Sequence, residues 1–76
     1  MIQIDLKLFV TLAKYHPRGS GPHNVEKGST ISDLIFDLGI DPDTVKLIFI
    51  NGKKASADQT LCRGDRVGLF PPVGGG

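Results

Sequence analysis

Tryptophan is absent from the chain, cysteine occurs once, at Cys62, and the only adjacent pair of like charges is Lys53-Lys54. A lone cysteine cannot close an internal disulfide. That excludes a disulfide-stapled secreted mini-domain and points to a reducing compartment. No stretch approaches the ~18 apolar residues that a membrane span requires. The opening MIQIDLKLFV alternates polar and apolar residues instead of forming the continuous apolar core of a signal peptide. The nine Lys+Arg and eight Asp+Glu are scattered and leave a net charge of +1. Nothing here calls for nucleic acid or a lipid surface as a partner. These absences read as a cytoplasmic protein.

What is present fits one small folded domain. The chain has 76 residues, of which 39% are apolar and 22% charged, too rich in Leu, Ile, Val and Phe for a disordered chain. A domain of this size buries only about 60% of the surface its unfolded chain exposes, so its core is small.

Ile2, Ile4, Leu6, Leu8 and Val10 recur at every second position, with Gln3, Asp5, Lys7 and Phe9 between them. Period two predicts a strand with one buried face, running through Val10. Tyr15 to Asn24 holds two prolines, two glycines and both histidines and reads as a loop, followed by a short strand over Val25 to Lys27. Ile31, Leu34, Ile35 and Leu38 are spaced at helical period. Thr30 is the expected cap, Asp33 its capping-box partner and Gly39 the left-handed stop, so one helix is predicted over about 31–38. Phe36 falls off the apolar stripe. Val45 to Ile50 reads as a strand, Asn51-Gly52 as a type I′ hairpin turn and Lys53 to Ala55 as the short return strand. Arg63-Gly64-Asp65 reads as a turn, and Arg66 to Phe70 as the last strand, with Val67 and Leu69 on one face. One helix against one mixed sheet is an α+β two-layer fold.

Catalytic constellations are not expected. Gly19-Ser20-Gly21 lacks the Gly-Lys-Ser/Thr ending of a phosphate cradle. His16 and His23 have no cysteine or carboxylate cluster beside them, so no metal site is predicted. Cys62 is expected to be a small buried hydrophobe. No enclosed pocket is expected in so small a domain, and no bound cofactor.

The reactive part is expected at the end, FPPVGGG. Pro71 and Pro72 favour extended geometry and cannot serve as interior strand residues, so the domain is taken as residues 1–70 and the tail as residues 71–76. Six residues at ~3.1–3.6 Å each carry the terminus roughly 20 Å from the body. Gly74, Gly75 and Gly76 have no side chains and offer the narrowest polypeptide cross-section, fit for a tunnel that any Cβ would block. Pro71, Pro72, Val73, Gly74 and Gly75 are the residues expected to thread into a partner. What they deliver is the Gly76 carboxylate, a poor electrophile until an enzyme attaches AMP to it. Phe9 and Phe70 lie out of phase with the core residues of their strands. On neighbouring strands they would share the open sheet face at the root of the tail, where, with Pro71, they are expected to dock the partner.

The order of elements, the Asn51-Gly52 hairpin, the Gly64-Asp65 turn and above all Phe70-Pro71-Pro72-Val73 followed by glycines resemble the ubiquitin-like β-grasp sulfur carriers. The nearest resemblance is to the molybdopterin synthase small-subunit family, with the thiamin-pathway carriers similar. The resemblance implies a β-grasp of four to five strands with one helix on one face, the first strand central and parallel to the last. It implies a carrier without catalytic residues, whose Gly76 is adenylated with ATP by a ubiquitin-activating-like enzyme and becomes a thiocarboxylate. A sulfur donor protein and a molybdopterin synthase large subunit are the other implied partners. Gly74 departs from the family pattern, which often has Ala or Ser there. A protein modifier joined to lysines through Gly76 shares the same adenylate.

Overall fold

The computed structural model describes residues 1–16 and 18–72. Strand β1 (Ile2–Leu8) is followed by a 3-10 helix (Val10–Tyr15), strand β2 (Ser20–Val25) and helix α1 (Ile31–Asp37). A single 3-10 turn (Pro42–Thr44), strand β3 (Leu47–Ile50), strand β4 (Lys53–Lys54) and strand β5 (Arg66–Phe70) complete the chain. The five strands form one sheet in the order β2-β1-β5-β3-β4. β1 and β5 are parallel, and the other pairs are antiparallel. This is the mixed β-grasp sheet with one main helix. The parallel pairing is as expected, but β5 holds the middle place and β1 lies second.

The alternation of β1 sends Ile2, Ile4, Leu6 and Leu8 into the core with Val67 and Leu69 of β5 and Ile31, Leu34 and Ile35 of α1. The helix begins as its sequence dictates. The Thr30 hydroxyl accepts from the Asp33 N–H at 3.2 Å, and the Asp33 carboxylate accepts from the Thr30 N–H at 3.0 Å. It ends at Gly39, whose φ of +77° is the left-handed stop. Phe36 projects into solvent, 82% exposed.

Two elements differ from expectation. β1 ends at Leu8, and Val10 turns out of the sheet with φ +53°, 75% exposed. Its apolarity continues the period of the strand without burial. The reversal instead sends Leu12 into the core. The second strand is Ser20–Val25, which takes up the end of the segment expected to be a loop and only the first residue of the strand expected over Val25 to Lys27. Gly21 and Pro22 are poor strand formers, but β2 is an edge strand, where a missing N–H is tolerated.

The hairpin is as expected: Asn51 and Gly52 both have positive φ, +54° and +82°. Asn51 does more than turn the chain. Its Oδ1 accepts from the Arg66 N–H at 2.9 Å, and its Nδ2 donates to Asp65 Oδ1 at 3.0 Å, fixing the entry to β5. Asn51→Ala removes both bonds and places a Cβ residue without a polar side chain in the left-handed region. We expect a loss of about 2 kcal/mol in chemical denaturation. Asn51→Asp, which keeps the acceptor, should lose less.

Candidate functional site

The sheet has helix α1 on one face only, and the other face carries the side chains of opposite phase. From β1 these are Asp5 and Lys7, continued by Phe9, and from β5 they are Arg66, Gly68 and Phe70. The registers Lys7↔Gly68 and Phe49↔Gly68 put the three strands' outward residues side by side. The same pairing assigns Phe49 to the open face and Ile50 to the core, a choice the sequence left open.

Phe9 and Phe70 are brought together as expected. Their rings stack with centroids 4.0 Å apart and planes inclined by 8°. Phe49 meets Phe70 edge-on at 5.5 Å, and Lys7 Nζ lies 6.0 Å from the Phe9 ring centre. Gly68 forms the floor between them. A Cβ there would stand 3.5 Å from Phe9 and 3.6 Å from Phe70. The result is an open groove of about 480 Å³ lined by Phe9, Phe49, Phe70 and Gly68, with Asp5, Lys7 and Arg66 among its margins. It is a surface depression, in a domain from which no sizeable pocket was expected. The sequence pattern does not single out Lys7, Arg66 and Gly68, although all three share the phase of Phe9 and Phe70.

An apolar centre with a charged rim is the anatomy of a protein interface. Two cations against one carboxylate make the rim basic. Phe70 is the last residue of β5, next to Pro71 and Pro72. Phe70→Ala removes the shared ring of both aromatic contacts. Because Phe70 is only half-buried, we expect a folded protein with a circular dichroism spectrum like the parent's. Its KM in an activation assay with a partner enzyme should rise roughly tenfold to a hundredfold, the scale of an aromatic interface anchor.

Pro71, one of the residues expected to thread into and dock the partner, is buried. Pro72 is the first exposed residue of the segment. Val73, Gly74, Gly75 and Gly76 lie outside the described residues.

Cys62 is exposed, contrary to the buried position expected of it. It sits in the turn before β5, where its N–H donates to Asp65 Oδ2 at 2.8 Å, and the turn rather than a need for burial sets its place. The His16 and His23 rings are 6.3 Å apart, and His16 Nδ1 accepts from the Arg18 N–H at 3.2 Å. Among the described residues no three potential metal ligands cluster, and no helix is long and apolar enough to cross a membrane.

Residues 6–76 match the profile of the ThiS family. Among solved structures, a Pyrococcus furiosus protein named as a candidate molybdopterin converting factor, subunit 1, has a TM-score of 0.76 at 26% identity, with 96% of this chain and 100% of that chain covered. SAMP1 from Haloferax volcanii has a TM-score of 0.69 at 27% identity, covering 97% of this chain and 99% of its own. A second structure, of the H. volcanii small archaeal modifier protein 1, has a TM-score of 0.75 at 24% identity, covering 96% and 100%, a likeness of fold. No curated protein matches the chain by sequence.

Proposed function

We propose, from the premise that this chain belongs to the ThiS family and is a ubiquitin-like sulfur carrier, that its sulfur is destined for molybdopterin. The chain is the carrier, not the catalyst. The observation that carries the choice of pathway is Phe70-Pro71-Pro72-Val73 followed by three glycines, a C-terminal pattern resembling the molybdopterin synthase small-subunit family. The likeness to the Pyrococcus furiosus protein supports the same reading.

The chemistry is carried by Gly76. Its carboxylate oxygen attacks the α-phosphorus of ATP in a ubiquitin-activating-like partner and expels pyrophosphate, giving an acyl-adenylate. A hydrosulfide supplied by a sulfur donor protein then attacks the carbonyl and expels AMP, leaving a thiocarboxylate. In a molybdopterin synthase large subunit the terminal sulfur attacks an electrophilic carbon of the pterin precursor, forming a thioester to the carrier as the C–O bond at that carbon breaks and its oxygen leaves. Water at the glycine carbonyl then releases the sulfur to the product and returns the carboxylate. The body supplies the grip through Phe9, Phe49 and Phe70. Gly74 to Gly76 supply a segment without side chains that can enter a narrow active site.

Deleting the gene in its own cell tests the pathway. The reading expects molybdopterin-dependent enzymes to lose activity while growth without thiamin continues. A thiamin requirement with intact molybdopterin would assign the carrier to the thiamin pathway. A second reading, attachment to lysines of other proteins through Gly76, is favoured by the likeness to SAMP1. It would appear as Gly76 joined by isopeptide bonds to partner lysines in digests of cell protein.

A further inference from the structure

Val10 joins two features that folding alone does not explain. Its φ is +53°, a region that β-branched residues avoid because Cβ crowds the following carbonyl. Its side chain is also 75% exposed, so burial returns nothing for the strain. The one other non-glycine with positive φ among the described residues is Asn51, a residue type suited to that conformation and held by two side-chain hydrogen bonds. The sharp exit from β1 explains why the backbone turns at position 10. It does not explain why the residue there is valine, where Gly or Asn would turn with less strain.

Position supplies the reason. β1 and β5 run parallel with Leu8 opposite Leu69, and the Phe9 N–H donates to the Leu69 carbonyl at 3.1 Å. The next residues along the two strands, Val10 and Pro71, therefore leave the sheet at the same end, beside the stacked Phe9 and Phe70. Strain held at an exposed position is a mark of function. We propose that Val10 is an apolar knob that extends the docking groove to the root of the tail, held there at the expense of stability. The inference rests on the carrier reading above, and the occupant is the adenylating enzyme that must receive the tail. The groove's margins bear two cations, Lys7 and Arg66, against the one carboxylate of Asp5. The fitting partner surface is an apolar socket edged by carboxylates.

Three variants test this with the full chain, ATP and the adenylating enzyme from the same cell, followed by pyrophosphate exchange and by thermal melting. Val10→Gly and Val10→Asn relieve the strain and remove the knob. Each is expected to raise Tm by roughly 4–8 °C and to raise the KM for the carrier about tenfold with kcat unchanged. Val10→Thr keeps the β-branch and replaces one methyl by a hydroxyl. It is expected to leave Tm within a few degrees of the parent and to raise KM by a smaller factor. Higher Tm with unchanged KM in Val10→Gly and Val10→Asn overturns the proposal, and so does an unchanged or lowered Tm in both. If the parent chain itself supports no pyrophosphate exchange, the carrier reading fails first and takes this inference with it.

Discussion

Removing Gly76, or converting its carboxylate to an amide, is expected to abolish acyl-adenylate formation while leaving Tm unchanged. In the proposed reaction the attacking oxygen belongs to that one group. An amide nitrogen, with its lone pair delocalised into the carbonyl, does not displace pyrophosphate, and a chain ending at Gly75 falls short by about 3.5 Å. A misplacement of even 1 Å costs about a hundredfold in a positioned reaction. The loss should therefore exceed a thousandfold and reach background. Stability should be spared, because the core of Ile4, Leu6, Val67, Leu69 and the helix residues Ile31 and Leu34 is complete without the tail. Pyrophosphate exchange and a melting curve on the same samples read both halves of this expectation.

The opposite separation is expected of Leu6→Ala. Leu6 is fully buried at the middle of β1, between Val67 of β5 and Gly21 of β2. Its neighbour on the edge side has no side chain to move into the space. The cavity should persist, and the cost should lie toward the middle of the Leu→Ala range, about 3 kcal/mol. For a domain whose whole stability is roughly 4–11 kcal/mol by size, that is a large share. Tm is expected to fall by roughly 12–25 °C. At temperatures where the variant remains folded, its terminal glycine should still be adenylated, because β5 continues to deliver the tail root. Leu6→Met, which conserves volume, should cost less than about 1.5 kcal/mol.

The parts of the fold legible in the sequence are those where one local force dominates. The alternation of Ile2 to Leu8 is a burial signal, and β1 obeys it. The Thr30–Asp33 cap, the Gly39 stop and the Asn51-Gly52 turn are backbone signals, and each appears where the residues put it. Legibility failed where a residue's chemistry and its place are set by different causes. Val10 is apolar without being buried, so the period ran one step too far. Ser20–Val25 pairs along β1 although Gly21 and Pro22 argue against a strand, because an edge position removes their main penalty. Cys62 is held in the open by the turn around Gly64.

The candidate site was half legible for a similar reason. Phe9 and Phe70 stand out of phase with their core neighbours, and aromatic residues in that phase are conspicuous. Lys7, Arg66 and Gly68 occupy the same phase, but a charged residue or a glycine there is also what an ordinary solvated face would hold. Only the register, with Gly68 between Lys7 and Phe49, makes them the margin and floor of a groove. The choice between Phe49 and Ile50 for that face needed the pairing as well, since Leu47 to Ile50 is continuously apolar and shows no alternation to read.

In the proposed function the folded body is a grip and the last glycine is the seat of reaction. The direct measurement is the intact mass of this protein isolated from its own cell under non-reducing, thiol-protecting conditions. The account predicts a fraction heavier by the exchange of one oxygen for sulfur, with fragmentation placing the change at Gly76. A chain found only with an ordinary carboxylate there under sulfur-replete growth, or one that continues past Gly76 untrimmed, would contradict it.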